Sequence, residues 1–345
     1  MPEVQDPQQF LDSFLKAAKQ AKHRIYLQSM LFEYGNFLTQ CEPIFMQKAQ
    51  EGVDVRITID TISKRYVGDN PNFYLSTFKI DKTYASLIHT QTNELIKRWS
   101  DAGVRFIFTN HPRLPSKILP IFKRNHIKLY LVDETVWVGG INAFDHAFGF
   151  IDFMVPFTDP IIVEGLAKQF FQVNNNRPRN NYRIATPQNT VFVDAGLVGK
   201  SLIYDSATAI IANAQKSITF MSQFVPDGKL LKELVRVTRN GVKATVITRP
   251  LKNFTKFPYS IPYQTFLQKT KNNSNVTLLH HHIKVHAKLL IVDDQVALFG
   301  SHNIVQIGVL LGTEEIAIKT EDTELIRNLN EFISASHVLR QIHQE

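Results

Sequence analysis

Histidine, lysine and aspartate recur at matched spacing in two segments of this chain, and the combination suits chemistry on a phosphate group. Each segment reads His-x-Lys with an aspartate five residues further on, and the residues are His126, Lys128, Asp133, His286, Lys288 and Asp293. The second segment follows the first by 160 residues. A buried strand has no packing reason to place His and Lys at the same offsets twice, so the repetition points to function.

Each segment is followed by a turn of small residues that ends in asparagine. The two turns are Gly139-Gly140-Ile141-Asn142 and Gly300-Ser301-His302-Asn303. Attack on a phosphodiester requires a nucleophile, an acid for the departing alcohol, and positive charge or hydrogen-bond donors for the phosphate oxygens. Imidazole can fill either of the first two roles, and lysine and asparagine can fill the third. The two copies therefore supply one histidine for each role.

Strand geometry separates the aspartates from the other motif residues. Residues i and i+2 of a β-strand share a face, so the histidine and the lysine of each segment project together. Asp133 and Asp293 lie at odd offsets from their histidines and face away on a regular strand. We include both in the candidate catalytic set, and we expect each to be an orienting or structural carboxylate at the end of its strand.

Three consecutive histidines, His280, His281 and His282, raise the question of a metal site. Neighbouring residues of a strand point to opposite faces, so three in a row cannot converge on one ion. Cys41 is the only cysteine, which leaves no Cys-based cluster. We therefore predict no metal ligands in this chain.

The elements that must position the motifs are repeated as well. Residues 17–27 and 210–220 each predict a helix followed by a strand. Residues 52–59 and 241–247 each place a glycine just past a helix end and β-branched residues in the strand that follows. A further helix and strand are predicted at 93–108 and 263–279, and hairpin partners of the motif strands at 136–138 and 296–299. Strands that alternate with helices predict an α/β sandwich in each half.

The chain is long enough for two such units. At 345 residues it exceeds one small core. We predict a first repeat at 1–175, a linker at 176–190 and a second repeat at 191–345, with the junction in the polar, turn-rich stretch 173–182. The copies are unequal, because the first carries extra sequence between Ile59 and His126. The first hairpin turn is also one residue shorter, which a tighter turn at 134–135 would absorb.

The paired motifs resemble those of the phospholipase D superfamily. The similarity covers most of the chain, because the upstream helix–strand pairs also match that family's domain pattern. In the first half, residues 139–145 and 151–153 resemble the bacterial cardiolipin synthase branch in particular. The resemblance implies two tandem phospholipase D-like α/β repeats, packed pseudo-symmetrically around one shared active site that uses no metal and no cofactor.

The resemblance also implies a role for each residue of the site. One histidine attacks phosphorus to give a covalent phosphohistidine and the other protonates the departing alcohol; by analogy these are His126 and His286. Phosphate oxygens would be bound by lysine and asparagine side chains, with help from the turns, at Lys128, Lys288, Asn142, Asn303, Gly140 and Ser301. Asp152 and Glu315 would orient the histidines. Glu315 is preferred to Glu314 because it begins the strand-like alternation Glu-Ile-Ala-Ile.

The net charge and the hydropathy of the chain indicate which kinds of molecule it binds and where it is located. The formal charge of +8 favours anionic partners such as phospholipid headgroups or nucleic acid. The N-terminus is unlike a signal peptide, and no apolar run approaches the length of about 18 residues that a membrane span needs. We expect a cytoplasmic protein that associates peripherally with the membrane. Two loops, 111–124 and 250–259, mix basic and apolar residues. They are expected to rim the site, either at a lipid headgroup boundary or packed as ordinary loops.

These observations predict a phosphatidyltransferase or phospholipase D-type enzyme similar to cardiolipin synthases. It would take phosphatidylglycerol or another glycerophospholipid as donor and an alcohol or water as acceptor. A monomer is expected, because two motifs in one chain complete the site. A nuclease or phosphodiesterase that acts on nucleic acid with the same site remains an alternative. A module that binds anions without catalysis is a third.

Overall fold

The structure is a computed structural model that describes residues 3–67, 70–71, 82–110, 123–172, 180–251, 260–336 and 339–341. Its helices are α1 Pro7–Gln20, α2 Asn36–Gln50, α3 Lys82–Asp101, α4 Pro160–Gln172, α5 Leu202–Ala212, α6 Gly228–Arg239, α7 Ser260–Thr270, α8 Gln306–Leu311 and α9 Thr323–Ala335, with 3-10 turns at Thr61–Arg65 and Asp145–Gly149. Its strands are β1 Arg24–Ser29, β2 Asp54–Asp60, β3 Tyr66–Val67, β4 Asn70–Pro71, β5 Arg105–Thr109, β6 Leu129–Val132, β7 Thr135–Gly139, β8 Met154–Phe157, β9 Tyr182–Ala185, β10 Asn189–Ala195, β11 Ser217–Ser222, β12 Lys243–Thr248, β13 Val276–His281, β14 Lys288–Val292, β15 Val296–Gly300, β16 Glu314–Thr320 and β17 Leu339–Gln341.

The two halves have the same sheet topology. Among the described residues, the first half forms a six-stranded sheet in the order β5-β2-β1-β6-β7-β8. The second half has the equivalent order β13-β12-β11-β14-β15-β16, extended by β17 at one edge and by β10 and β9 at the other. In both sheets the first three strands are parallel and the following three are antiparallel. The predicted α/β fold of two equivalent repeats is confirmed.

Helix α1 shows how local sequence anchors a helix on the first sheet. Asp6 and Gln9 form a capping box, in which the Asp6 carboxylate accepts the Gln9 N–H at 2.9 Å and the Gln9 side chain accepts the Asp6 N–H at 3.0 Å. Pro7 occupies the first helical position, where no N–H is needed. Phe10 and Phe14, four residues apart, are fully buried and pack against a tyrosine of β6. Helix α1 therefore covers one face of β6, the strand that follows His126.

Strand β6 separates two apolar layers. Tyr130 and Val132 face the layer that α1 and α2 cover, and Leu129 and Leu131 face a central layer shared by both halves. Strand β14 alternates in the same way between the central layer and the layer covered by α5 and α6. The central layer also takes apolar residues from α4 and α9. The halves therefore share one apolar core, which fixes one motif strand relative to the other.

The two motif hairpins differ only in their turns. Val132 pairs with Thr135 across the first turn, and Val292 pairs with Val296 across the second. The first turn thus has two residues and the second has three. As predicted, a tighter first turn absorbs the missing residue, and the ladder between each turn and its histidine is unaffected.

The structure also bears on the expectations about the linker, the two basic loops and membrane spans. Residues 182–190 were expected to be linker, but β9 and the start of β10 lie there and belong to the second sheet. Residues 173–179, 111–122 and 252–259, which include much of the junction and of the two basic loops, lie outside the described residues. In the part of the chain that the structure describes, no helix combines the length and hydropathy needed to cross a membrane.

Candidate active site

The halves exchange main-chain hydrogen bonds immediately beside the motif histidines. Glu314 donates its N–H to the carbonyl of Arg124 at 2.8 Å and accepts the N–H of His126 at 2.9 Å. This short crossing is a parallel bridge between Asn125 and Glu314. His126 therefore lies in an extended segment just before β6 and is held there by the opposite half, rather than within a strand ladder as the alternation pattern predicted.

The second histidine is held by an equivalent crossing. Ile151 donates its N–H to the carbonyl of Lys284 at 3.0 Å and accepts the N–H of His286 at 2.9 Å. The two crossings are related by the pseudo-symmetry of the repeats. Each one places the next residue along the chain, Asp152 or Glu315, directly against the histidine of the other half.

Each histidine is paired with a carboxylate from the opposite half. Nδ1 of His126 lies 2.9 Å from Oε1 of Glu315, and Nδ1 of His286 lies 2.6 Å from Oδ2 of Asp152. All four side chains are buried. The structure thus brings both sequence-predicted acids to the histidines, and Glu315 is the residue whose carboxylate contacts His126. In both rings Nδ1 is the nitrogen that contacts the carboxylate, so the two pairs are built in the same way.

The pair of His126 and Glu315 is an anion beside a neutral ring. Burial alone raises the pKa of Glu315, but the charge and hydrogen bond of His126, with His302 and Lys128, lower it to about 2. The hydroxyl of Ser301 donates a further hydrogen bond to Oε2 at 2.5 Å. Burial lowers the pKa of His126 despite the opposing effect of Glu315. Because an ionised carboxylate only accepts, the proton of the neutral ring is on Nδ1 and Nε2 carries the lone pair.

In the pair of His286 and Asp152, the pKa of the carboxylate is raised and not lowered. Burial raises the pKa of Asp152 to about 6, although Lys288, the Phe153 N–H and Lys128 oppose the rise. The carboxylate packs directly over Gly140, where an added Cβ would lie 2.3 Å from Oδ1. Gly140 and Ser301 are equivalent turn positions with different functions. The glycine makes room for its acid, and the serine donates to its acid.

The motif lysines are buried next to their own histidines. Nζ of Lys128 donates to the carbonyl of His126 at 2.6 Å, and Nζ of Lys288 donates to the carbonyl of His286. Both lysines are 1% exposed. The charge of Lys288 contributes to the lowered pKa of His126, and that of Lys128 opposes the rise for Asp152. Each lysine therefore acts on the histidine–carboxylate pairs of both halves.

The turn asparagines have a common orientation. Oδ1 of Asn142 accepts from the hydroxyl of Ser29 at 3.3 Å, and Oδ1 of Asn303 accepts from Nε2 of Gln223 at 3.0 Å. Ser29 is the last residue of β1 and Gln223 directly follows β11, and these two strands lie beside the motif strands in the two sheets. With each amide oxygen held as an acceptor, the NH₂ group is directed away from these donors.

Asp133 and Asp293, which the sequence analysis included in the candidate catalytic set, bind main-chain N–H groups in the hairpin turns. The Asp133 carboxylate accepts the N–H groups of residues 22–24 at 2.8–2.9 Å, and the Asp293 carboxylate accepts those of residues 215–217 at 2.7–2.8 Å. Both residues have positive φ in the hairpin turn, at the end of the motif strand away from the histidine. They fasten each hairpin to the start of β1 or β11, which agrees with the structural part of the expectation.

His302 belongs to the site and was missed by the sequence analysis. Burial lowers its pKa to about 4, and Glu315 and His126 are the charged groups that act on it. Its Nδ1 accepts the N–H of Ile304 at 2.8 Å. The available signal was its place in the Gly-x-x-Asn turn, where the first copy has Ile141.

Of the three consecutive histidines, His281 and His282 stack their rings at 4.6 Å, and His280 and His281 contact different partners. Nε2 of His280 lies 3.0 Å from the hydroxyl of Tyr263, whereas Nε2 of His281 lies 2.5 Å from the carbonyl of Ser336. Within the described ranges, no group of three His, Cys, Asp or Glu side chains is arranged to hold a metal ion.

Comparison with known proteins gives one family match and several relatives. Residues 208–336 match the family model described as "Cardiolipin synthase, PLD-like domain". The cardiolipin synthase of Alkalihalophilus pseudofirmus is 25% identical over 316 residues, which is 84% of this chain and 56% of that protein. The major cardiolipin synthase of Bacillus subtilis is 24% identical over 327 residues, which is 87% of this chain and 61% of that protein. The chain therefore spans little more than half the length of these relatives.

Two solved structures share the fold. Phosphatidylserine synthase from Haemophilus influenzae Rd KW20 superposes with a TM-score of 0.72 at 14% identity, covering 99% of this chain and 87% of that one. Polyphosphate kinase from Porphyromonas gingivalis has a TM-score of 0.62 at 12% identity, covering 97% of this chain and 50% of that one. At these identities the likeness concerns the fold alone. Together with the sequence matches, it confirms the resemblance of this chain to the phospholipase D superfamily.

Proposed function

We propose that this chain is a phosphatidyltransferase or phospholipase D-type enzyme that acts on glycerophospholipids through a covalent phosphohistidine. The observation that carries the proposal is the crosswise pairing of two buried histidines with carboxylates of the opposite half, His126 with Glu315 and His286 with Asp152. The pairing gives two imidazoles with fixed orientation in one place. A nucleophile and a general acid are the two functions that transfer of a phosphodiester requires.

His126 suits the role of nucleophile. Its neutral ring is favoured by burial, and the ionised Glu315 keeps the proton on Nδ1 and the lone pair on Nε2. In the first step Nε2 forms a bond to phosphorus, and the bond between phosphorus and the leaving alcohol oxygen breaks. That oxygen takes the proton of Nε2 of His286, so a neutral alcohol departs.

His286 suits the role of acid and base. Its Nδ1 is paired with the carboxylate of Asp152 at 2.6 Å, which orients the ring and stabilises the imidazolium form that can act as the acid. In the second step an acceptor alcohol, or water, gives its proton to His286 while its oxygen attacks phosphorus. The nitrogen–phosphorus bond breaks and His126 is released. One diester and one alcohol thus give a new diester and the displaced alcohol.

The remaining predicted residues stabilise the phosphate oxygens. Lys128 and Lys288 bring positive charge into a buried site, where charge acts more strongly than in water. Asn142 and Asn303 have their amide oxygens held by neighbours, which leaves each NH₂ group to donate to a non-bridging oxygen. None of these steps needs a metal ion or a cofactor.

The substrate class rests on the relatives. The curated relatives are named cardiolipin synthases, and one structure with the same fold is a phosphatidylserine synthase. We propose phosphatidylglycerol or a similar lipid as donor, and a cytoplasmic protein bound peripherally to an anionic membrane surface, in line with the formal charge of +8. Both histidines come from one chain, so a monomer suffices.

The test compares lipid and nucleic acid directly. Purified protein is incubated with phosphatidylglycerol vesicles and ethanol, and in parallel with single-stranded DNA. We expect a new phosphatidylethanol product that His126→Ala abolishes. A denaturing alkaline quench, which preserves phosphohistidine, should trap labelled lipid phosphate on the wild-type protein and none on His126→Ala.

Two outcomes would contradict the proposal. Cleaved DNA beside untouched lipid would identify a nuclease with the same site. Binding of lipid with no product and no trapped phosphate would identify a module without catalysis. Thermal unfolding of His126→Ala should match the wild type closely enough to show that the loss is chemical.

A further inference from the structure

Helix α8 follows the turn that ends in Asn303, and it exposes an apolar face. The helix has the sequence Gln-Ile-Gly-Val-Leu-Leu, and none of its residues is buried. Ile307 is 53% exposed and Leu310 is 49% exposed. These two residues are three positions apart, so they lie on the same face of the helix. A helix that packs onto a core buries its apolar face, and these two side chains are therefore not core residues.

The equivalent segment of the first half is closed onto a neighbouring helix. After the turn asparagine of that half the chain forms the 3-10 turn Asp145–Gly149. The Asp145 carboxylate accepts the N–H groups of Asn36 and Phe37 at 2.6 and 2.8 Å, at the start of α2. The ring of Phe148 packs against that of Phe37, with the centroids 5.1 Å apart. The first copy thus packs its aromatic side chain onto α2, whereas the second copy leaves its apolar face exposed.

Main-chain hydrogen bonds hold the end of α8 beside the first histidine–carboxylate pair. The carbonyl of Leu311 accepts the N–H of Lys123 at 2.9 Å. The carbonyl of the next residue, Arg124, accepts the N–H of Glu314 at 2.8 Å. These contacts join the segment that leads into His126 to the segment between α8 and Glu315. A surface that covers α8 therefore lies next to this pair.

The loop between β10 and α5 extends the apolar surface. The N–H of Gly199 donates to the carbonyl of Val309 at 2.9 Å. Gly312 ends α8 in the left-handed region, and a Cβ at this glycine would lie 3.0 Å from Cγ2 of Val198. Val198 is itself 54% exposed. The exposed apolar side chains of the loop and the helix form one apolar patch, which comprises Val198, Ile307 and Leu310.

The segments that contact α8 also carry exposed lysines, and these flanking lysines are Lys123, Lys200 and Lys229. The first donates its N–H to α8, and the second directly follows Gly199. The third follows Gly228, where an added Cβ would lie 1.8 Å from Oε1 of Gln306. In the described part of the chain, no carboxylate forms an ion pair with any of the three. Asp227, the acid beside the third lysine, accepts the N–H of Gln306 at 2.7 Å. The apolar patch is therefore flanked by positive charge.

The charges around the apolar patch favour a bilayer over a second copy of the chain. A symmetric contact between two copies places the same surface of each against the other. The flanking lysines would then face lysines, and like charges opposed across an interface are unfavourable. An anionic bilayer is complementary to both parts of the surface. Apolar side chains of interfacial helices enter the boundary between headgroups and acyl chains, and lysines close to a membrane are attracted to anionic lipids.

We propose that the apolar patch inserts into the surface of an anionic phospholipid bilayer and that the flanking lysines bind its headgroups. The inference rests on the proposed function, in which the substrate is a lipid of such a bilayer. Because α8 is held against the segment that leads into His126, docking through α8 brings the headgroups next to the catalytic pair.

The first experiment measures co-sedimentation with vesicles, which requires no catalysis. The wild type is compared with the double variant Ile307→Gln, Leu310→Gln. The matched control is Ile161→Gln, because Ile161 is 55% exposed on α4, where Glu164 pairs with Arg24 at the edge of the first sheet away from the histidines. On vesicles of phosphatidylglycerol and phosphatidylcholine, the double variant should lower the partition constant about tenfold or more, and the control by less than about twofold.

Lysine variants test the electrostatic part of the proposal. Lys123→Gln, Lys200→Gln and Lys229→Gln should each lower the partition constant on the same vesicles about fivefold. The loss should disappear at high salt and on vesicles of phosphatidylcholine alone. Lys216→Gln is the matched control, because Lys216 donates its N–H to Asp293 at the opposite edge of the second sheet.

Insertion of the patch is measured by fluorescence. The two tryptophans of the chain, Trp99 and Trp137, are buried, so Leu310→Trp introduces an exposed indole. Its emission should shift to shorter wavelength when vesicles are added, and lipids with brominated acyl chains should quench it. The wild type gives the background from the two buried rings.

Activity separates this inference from the proposed function. On a short-chain phosphatidylglycerol below its critical micelle concentration, the double variant should transfer to ethanol at the wild-type rate, whereas its rate on vesicles should fall with its binding. Vesicle binding that depends on the patch, without any transfer by the wild type, would overturn the proposed function and leave the docking surface standing. Equal vesicle binding by the wild type and the double variant, or an indole of Leu310→Trp that the brominated lipids do not quench, would overturn the docking surface. A wild-type dimer that the double variant dissociates, with vesicle binding unchanged, would overturn it in favour of a contact between copies.

Discussion

Replacing Glu315 by glutamine removes the negative charge behind His126 and keeps an acceptor of the same shape. The carboxylate lies 2.9 Å from Nδ1 of His126 and has a pKa of about 2, so it is ionised at every pH at which the enzyme would work. In the proposed first step, His126 becomes positively charged as it bonds to phosphorus. The carboxylate therefore stabilises the transition state more than the resting state.

The magnitude follows from the separation of the charges. Two unit charges about 4 Å apart interact by about 4 kcal/mol at an effective dielectric constant of about 20. Each 1.36 kcal/mol corresponds to a factor of about ten in rate. Glutamine retains part of the stabilisation through its amide oxygen, so we expect Glu315→Gln to lower the rate of the first step by about 10²- to 10³-fold. Asp152→Asn is the matched variant in the other pair.

The assay uses two soluble phosphodiesters that differ in their leaving group. A p-nitrophenyl ester departs without being protonated, whereas an alkyl ester requires the acid, His286. Glu315→Gln should therefore slow the pre-steady-state burst on both esters. Asp152→Asn should slow the alkyl ester strongly and change the nitrophenyl burst by less than about tenfold.

The reverse pattern would refute the assignment of the two histidines. If Asp152→Asn abolished the nitrophenyl burst while Glu315→Gln spared it, His286 would be the nucleophile. If both variants slowed both esters equally, the division into nucleophile and acid would be wrong. Unfolding curves for both variants show whether either change has disturbed the fold.

Three further predictions test the supporting structure. Gly140→Ala places a Cβ 2.3 Å from Oδ1 of Asp152 and should lower kcat at least about tenfold, whereas Gly149→Ala, with nothing within 4 Å of its added Cβ, should leave kcat unchanged. Burial raises the pKa of Asp194 from 3.8 to about 6, so its charge costs stability above pH 6 and this cost disappears as pH falls towards 4. The change in unfolding free energy caused by Asp194→Asn should therefore be more favourable at pH 8 than at pH 4 by up to about 3 kcal/mol in urea unfolding; the same change at both pH values would contradict this. Asp293→Ala should lose about 2 kcal/mol of stability, because three main-chain N–H groups lose their acceptor, while kcat measured on the folded protein stays unchanged; a large fall in kcat would restore a catalytic role.

Much of the fold and the list of site residues followed from repetition. The same order of helices and strands on both sides of the junction predicts two equivalent sheets, and the alternation within β6 predicts a strand buried on both faces. Duplicated His, Lys and Asn at fixed offsets identify residues that packing does not explain. Strand alternation and repeated residue spacing can both be read within short segments of the chain, so a single sequence is enough to detect them.

The pairing of the halves could not be derived in this way. The crossing of Arg124 with Glu314 depends on how two sheets dock, and no periodicity in either segment encodes it. The family resemblance supplied Asp152 and Glu315, and the choice of Glu315 over its neighbour rested on strand alternation. Asp133 shows the opposite case, because its repeated offset in both copies coincides with a turn of positive φ in which the carboxylate binds main-chain N–H groups.

Small differences between the copies were visible but not interpretable from sequence. Gly140 and Ser301 occupy the same turn position, yet only the geometry shows that one accommodates a carboxylate and the other donates to it.

Each histidine receives its carboxylate from the opposite half, so a histidine–carboxylate pair can form only after both halves have folded against each other. During synthesis, His126 emerges from the ribosome long before Glu315, and until that residue has folded against it the first histidine lacks its carboxylate. A chain that ends before residue 315 therefore cannot form this pair. Cleavage in the junction between α4 and β9 tests the same point in another way, because residues of both halves form the central apolar layer. Activity regained on mixing two separately produced halves would show that the crossings form without a covalent link.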